Sequence, residues 1–418
     1  MRNYIRNKMN SLGPFERNSF FLICEGAVGA IVFNLVNPFI SMFAKRMGAG
    51  DIEIGLLSSL PALMGILALV PGSLLVDRQR DKKKIVALLA FLAGVMYPIA
   101  ALTPAMGQYR VMIYVLVIAL LNWPFSVFNI SWQSFFTDVF PPDKRNMAYT
   151  SRSKAATSLG TVTTLIAGLV LSWFPGSDQE RLLFYQSFFI LAFFLTLLQI
   201  YFLYRVKGYP VPETVQKEAP LAVLKDCGRA IFSNKPFLQY MTVSFFFHVT
   251  LQMAWPLFFI FQVDYLHADE AWLSFLTVAN GIAGVVTYSY WGRMIEKKGS
   301  KWVVMIGAAG FAISPILTVL SPNLPVLLLA NIASGLTFGA FQLALFDNLL
   351  EVLPQENRTL NIAIYTTFIS ISGFISPMIG VAIYKATSIY TAMILAGILR
   401  FIGTGLFYIR YRKAMSTE

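Results

Sequence analysis

Long apolar runs alternate with short polar breaks along the whole chain. The runs fall near 18 to 44, 52 to 76, 85 to 106, 111 to 137, 155 to 174 and 182 to 204. A second set lies near 237 to 262, 272 to 291, 302 to 321, 325 to 350, 360 to 384 and 389 to 409. Each has about twenty residues or more, the length an α-helix needs to cross the ~30 Å hydrocarbon layer. Barrel strands would be ~10 residues long with period-two alternation, which these runs lack. The pattern predicts an all-α polytopic membrane protein with twelve transmembrane helices in two pseudo-symmetric sets of six. Between the sets, the polar stretch 205 to 236 starts Pro-rich and becomes amphipathic, so it reads as a linker with a short surface helix. The expected organisation is an N-terminal six-helix bundle over 1–204, a cytoplasmic linker over 205–236 and a C-terminal six-helix bundle over 237–418.

Composition removes the competing classes. With 56% hydrophobic and 13% charged residues and a mean hydropathy of +0.63, a soluble chain of 418 residues could not hide its apolar surface. Two cysteines, Cys24 and Cys227, and two histidines, His248 and His267, supply neither a disulfide framework nor a metal centre, so no metal or cofactor is expected. A net charge of +12 would suggest nucleic acid in a soluble protein. Here the basic residues instead cluster at the termini and alternate connections: Arg2 to Arg17, Arg78 to Lys84, Lys144 to Lys154, Arg205 to Lys235, Arg293 to Lys301 and Arg410 to Lys413. By the positive-inside rule both termini are expected in the cytoplasm. The basic N-terminus precedes a run too long for a signal h-region and is expected to stay attached. A plasma (inner) membrane location, a lipid rather than nucleic-acid environment and a monomeric state complete the expectation.

The two halves repeat one another. Asp138 to Arg145, "DVFPPDKR", aligns with Glu351 to Arg358, "EVLPQENR"; in "VDRQRDKKK" and "GRMIEKKGSK", Asp77 and Arg78 match Glu296 and Lys297; Pro38 aligns with Pro256, all at nearly one offset. In these residues the chain resembles the major facilitator superfamily of secondary transporters over essentially its whole length. The most specific element, Gly292, Arg293, Glu296, Lys297, Gly299 and Lys301, is similar to that family's loop signature, from which Ser300 departs. The N-terminal copy is looser, with Ser73 and Arg80 where glycines are usual. Span four carries Asn122 where the proton-exchanging drug exporters of the family have a buried Arg, and span five has no proline, which points away from that branch.

The resemblance implies alternating access, with a small molecule bound near the midplane between the halves and a cytoplasmic gate of charged residues. The gate candidates are Asp77, Arg78, Asp138, Arg145, Glu296, Lys297, Glu351 and Arg358. Exposed pairs contribute only ~0 to 1 kcal/mol each, so a few of them give a bias that a ligand can reverse. The lysines Lys82 to Lys84 read instead as solvated topology determinants.

The residues themselves mark a candidate path. Asn122, Ser126, Asn129, Gln133 and Thr137 form one polar stripe on span four, and a lipid-facing stripe would leave amides unpaired. Span one offers Asn34, Asn37 and Ser41, span seven His248, Gln252 and Trp255, span ten Asn331 and Gln342. Asn37, Asn129, Gln133, Gln252, Trp255 and Gln342 are the expected substrate contacts; interhelical hydrogen bonding is the structural alternative for such amides. Amides mixed with aromatics suit a neutral or amphipathic solute better than a multiply charged one. Among intramembrane ionisable groups, Glu25 and His248 are the proton-coupling candidates, with a structural contact as the alternative for each. Arg400, in the middle of span twelve, is expected to snorkel or pack. No cluster of nucleophiles, acids or metal ligands and no phosphate loop marks an enzyme. The expected function is secondary active transport of a small organic solute, with proton coupling open; a non-transporting sensor or scaffold of the same fold is the alternative.

Overall fold

The computed structural model describes residues 13–77, 82–207, 234–353 and 358–415. The surface helix expected in the linker, and Cys227, fall outside these residues. Every regular element among the described residues is helical, and twelve spans are long and apolar enough to cross a membrane. The chain is a multi-pass, all-α membrane protein.

In the first half, α1 (Pro14–Val36) and α2 (Ile40–Arg46) form one broken span. They are followed by α3 (Asp51–Asp77), α4 (Lys82–Leu102), α5 (Arg110–Val139), α6 (Pro142–Trp173) and α7 (Asp178–Arg205). In the second half, α8 (Lys235–Met253) and α9 (Trp255–Ile260) form the matching broken span. Then come α10 (Glu270–Lys298), α11 (Ser300–Ala312) with α12 (Ser314–Val319), α13 (Leu324–Val352), α14 (Arg358–Ala386) and α15 (Ile389–Met415). The starts obey local chemistry: Ser177, Asn234, Asp269 and Asn323 each accept a first-turn N–H through the side chain. Gly299, at φ 82°, ends α10 and begins α11, a backbone conformation that side chains disfavour.

Prolines set the breaks. Pro38 interrupts the first span and Pro256 the seventh, the pair aligned by the repeat, and Pro315 interrupts the ninth. The largest boundary difference from the apolar pattern is α6. It starts at Pro142 rather than near 155, because its first turns carry polar side chains, some of which are partnered within the protein.

The chain divides into two compact units, Met1–Gly48 with Leu67–Lys217, and Ala49–Ile66 with Glu218–Glu418. Thus α3 belongs in its first part to the second unit: a Cβ on Gly55 would stand 3.0 Å from Val381 and 3.1 Å from Met378. In the first unit α1 lies against α6 and α7, and α4 against α5 and α7. Its rings Phe43, Tyr114, Tyr185 and Phe189 pack at 5.1 to 5.3 Å around Phe43. In the second unit α13 lies against α10 and α11, and α8 against α14 and α15. The buried core there includes Phe247, Phe341 and Phe407, with Phe247 and Phe341 4.7 Å apart.

Arg400 of α15 packs rather than snorkels, the second of the two arrangements expected of it. It is 0% exposed. Its Nη1 donates to the Phe311 carbonyl at 3.2 Å and its Nη2 to the Leu251 carbonyl at 3.1 Å, while Nε reaches the Thr250 carbonyl at 3.5 Å. The rings of Phe311 and Phe258 lie 5.2 and 5.7 Å from its guanidinium. Phe311 is the residue whose carbonyl Pro315, lacking an N–H, cannot bond, and Thr250 and Leu251 lie in the last turn of α8. One guanidinium therefore caps the C-terminal ends of two broken spans, where the helix dipoles favour positive charge.

Candidate functional site

The first unit holds a buried charge pair beside a cavity. Glu25 on α1 is 1% exposed. Its Oε1 accepts from Gln199 Nε2 of α7 at 2.8 Å, and its Oε2 accepts from Trp132 Nε1 of α5 at 3.3 Å. Arg152 of α6 reaches the same Oε2 through Nε and Nη2, both at 3.0 Å. Its guanidinium also lies 3.9 Å from the centre of the Trp132 ring. Three helices thus converge on one carboxylate of α1, which satisfies the charge that lipid would penalise.

The sequence of α1 makes room for this arrangement. A Cβ on Gly26 would stand 2.6 Å from Arg152 Cγ and Nε, and one on Gly29 would stand 2.7 Å from Gln199 Nε2. Glycines one and four residues after Glu25 therefore open the surface over which its two main partners lie.

The adjoining cavity has a volume of about 330 Å³ and draws on α1, α4, α5, α6 and α7. Its apolar walls include Phe33, Phe125 and Phe128, and its polar groups include Asn34, Asn129, Arg152 and Gln199. Such a volume is at the lower end of small-molecule sites, about 300 to 1,000 Å³. Asn34 is fixed by Thr164 Oγ1, which donates to its Oδ1 at 3.1 Å. Arg152 lines the cavity with a side chain 19% exposed, and its Nη1 has no hydrogen-bond partner among the described residues.

Of the expected substrate contacts, Asn129 lines this cavity; its Nδ2 donates to the Phe125 carbonyl at 3.0 Å, which leaves the side-chain oxygen for another donor. Gln133 is exposed on the same helix, while Asn122 spends its Nδ2 on the Ile118 carbonyl at 2.9 Å. Asn37 is exposed at the Pro38 break. In the second unit Gln252 and Trp255 flank the Pro256 break, Trp255 being 54% exposed, and Gln342 is exposed on α13. Asn331 accepts from Asn280 Nδ2 through its backbone oxygen, a contact between helices. His248 Nδ1 sits 2.7 Å from the Ser244 carbonyl of its own helix, and its ring lies 6.2 Å from that of Phe341.

The gate candidates fall into matching pairs of places. Asp138, at the end of α5, binds Lys82 at the start of α4 at 2.8 Å. Glu351, at the end of α13, accepts from Ser300 Oγ at the start of α11 at 2.6 Å; Asn348 Nδ2 donates to the same hydroxyl, and Arg410 Nη1 donates to Asn348. The reading of Lys82 to Lys84 as solvated charges is thus corrected, since Lys82 pairs with Asp138 and Lys83 donates to the Val206 carbonyl. Arg145 donates to the Phe140 and Thr137 carbonyls at 2.8 and 2.7 Å, closing the end of α5. Glu296 and Lys297 are exposed at the end of α10. Asp77, Arg78 and Arg358 lie outside the described side chains.

Sequence reasoning missed Arg152, which it assigned to a cytoplasmic loop, and gave no role to Gln199. An unpartnered acid in span one together with Gly26 and Gly29 was the available signal, since a carboxylate at that depth demands a cation and the glycines mark where it crosses.

Twelve helical spans among the described residues, a repeat relating the halves and a mostly apolar cavity with a few polar groups among helices define a membrane transport protein. The sequence model of the Major Facilitator Superfamily matches residues 24–273 and 242–417, and the chain belongs to this superfamily of secondary transporters. No curated protein sequence matches the chain. Among solved structures it is similar to the nucleoside transporter NupG, at 13% identity and a TM-score of 0.72, covering 94% of this chain and 99% of that one. It is also similar to the xylose transporter XylE from E. coli in a partially occluded inward-open conformation, at 14% identity and a TM-score of 0.65, covering 94% and 95%. A third is a bacterial homologue of the human lysosomal transporter Spinster, inward-facing and occupied, at 13% identity and a TM-score of 0.66, covering 96% and 98%. At these identities the likeness concerns the fold.

Proposed function

We propose that this transporter moves a small amphipathic organic solute by alternating access, that the cavity of the first unit contributes substrate contacts through Asn129 and Arg152, and that Glu25 carries the coupling proton. The observation that supports the reading is the Glu25–Arg152 pair at the edge of a cavity of about 330 Å³. A carboxylate buried among helices is a group whose protonation changes the local charge where solute would bind. His248 serves this reading less well, because Nδ1 of its ring meets the Ser244 carbonyl of its own helix rather than an acid or a cavity group. The two six-helix halves act as the moving bodies, and Asp138 with Lys82 and Glu351 with Ser300 hold helix ends together within each of them. Both termini face the cytoplasm of a plasma-membrane protein, and the protein works as a monomer.

The test is flux into proteoliposomes under an imposed pH gradient. A panel with a nucleoside, D-xylose and amphipathic carboxylates is offered, and internal pH is followed by a trapped dye. A transported solute should acidify the lumen or move protons outward with wild-type protein, and Glu25→Gln should abolish the proton movement. Solute-driven proton flux that is unaltered in Glu25→Gln would sink the assignment of the coupling group.

A further inference from the structure

We propose that the cavity beside Arg152 takes a small organic monoanion, and that the anion replaces the Glu25 carboxylate at the guanidinium as Glu25 takes up a proton. The inference rests on the proposed transport reading and narrows it to a substrate class and an order of charge exchange.

Charge balance within the first unit carries the argument. Glu25 and Arg152 neutralise each other at 3.0 Å, so the resting cavity edge holds no net charge. The groups facing Glu25 are Arg152 from α6, the uncharged donors Trp132 from α5 and Gln199 from α7, and its chain neighbour Cys24; across the cavity the one further titratable lining residue is Tyr97 of α4. None of these supplies a second negative charge. A proton on Glu25 would therefore leave Arg152, whose side chain is 19% exposed, as an uncompensated cation against mostly apolar cavity walls, which is costly until an anion restores neutrality. A monoanion does so exactly once, whereas a neutral solute leaves the cation unpaired and a dianion overcompensates.

Geometry agrees with the charge count. Arg152 already projects to the cavity, and its Nη1 is unspent among the described residues, so a carboxylate can engage Nη1 before the Glu25 bonds break. Both Arg152 bonds go to the single oxygen Oε2, while Oε1 is held by Gln199. Protonation at Oε2 would release Arg152 and leave the Gln199 bond intact, so Glu25 need not move. The apolar part of the anion would meet Phe33, Phe125 and Phe128, with Asn129 Oδ1 as an acceptor for a hydroxyl. No bond other than the O–H of Glu25 is made or broken, and the proton comes from the aqueous side from which the anion enters.

The exchange is read with benzoate as the probe and benzamide, its uncharged isostere, as the control at constant ionic strength, following the thermal midpoint of purified full-length protein in detergent. Glu25→Gln mimics the protonated carboxyl and should show saturable stabilisation by benzoate at neutral pH. Its apparent dissociation constant should be about tenfold to a hundredfold below that of wild type, the range of a charge-assisted hydrogen bond. Wild-type protein should acquire the same response as the pH is lowered, and Glu25→Gln/Arg152→Gln and Arg152→Gln should lack it at every pH. Equal responses from Glu25→Gln and the double variant overturn the proposal. So does a wild-type response that does not grow toward acid, which serves should Glu25→Gln fail to fold. Proton-linked flux that persists in Arg152→Gln would leave the transport reading standing while removing the anion.

Discussion

Arg152 and Glu25 show how one residue pair is made tolerable inside a bilayer. Glu25 spends both oxygens on donors from three helices, and Arg152 divides its guanidinium between that carboxylate and the face of Trp132. Removing one member of a buried pair leaves the other without compensation, at a cost of about 3–5 kcal/mol, whereas removing both is much milder. Arg152→Leu is accordingly expected to lower unfolding stability in detergent by about that amount, and Glu25→Gln/Arg152→Leu to recover most of it. A denaturation cycle with no coupling between the two sites would show that the pair does not hold the helices together.

At the scale of elements, the second unit depends on spans that stop and restart. Breaks at Ala254 and Ile313 leave helix ends inside the bundle, and Arg400 serves both. Lysine would not substitute, since a single ammonium lacks the planar fork that reaches carbonyls on two helices. Arg400→Leu should destabilise the protein by about 1–3 kcal/mol for each carbonyl left without a donor. Because Phe311 loses its helical partner to Pro315, Pro315→Ala restores an N–H at that place. In the Arg400→Leu background this change should return about 1 kcal/mol relative to its effect in wild type. A strictly additive double-mutant cycle, measured by thermal or denaturant unfolding, would contradict the capping account.

For the whole molecule, the twelve spans were legible because lipid imposes composition directly: a helix that must face hydrocarbon advertises itself as an apolar run. Glu25 stood out for the same reason. Arg152 did not, because a polar residue whose partner sits on another helix looks in sequence like one that faces water, and the first turns of α6 are rich in such residues. The repeat located Asp138 and Glu351, yet not their partners, since Lys82 sits in a lysine run and Ser300 occupies the place where the loop signature is broken. Nor could the pattern show that α3 changes allegiance along its length, which depends on close packing at Gly55 and at Gly373, where a Cβ would stand 3.1 Å from Ala62.

The double cap made by Arg400 bears on how the protein is born. Span twelve, Ile389–Lys413, leaves the ribosome after spans seven and nine, with its arginine close to the middle. A central arginine opposes entry into the bilayer by about 2.5–3.5 kcal/mol on translocon scales. The carbonyls that accommodate it belong to spans seven and nine, which are synthesised earlier and can already be waiting. Insertion of span twelve is then coupled to its docking against spans seven and nine. Arg400→Leu should consequently improve membrane entry of isolated span twelve in a glycosylation-reporter assay while weakening the finished protein. Matching signs in the two assays would break that link between biogenesis and the folded state.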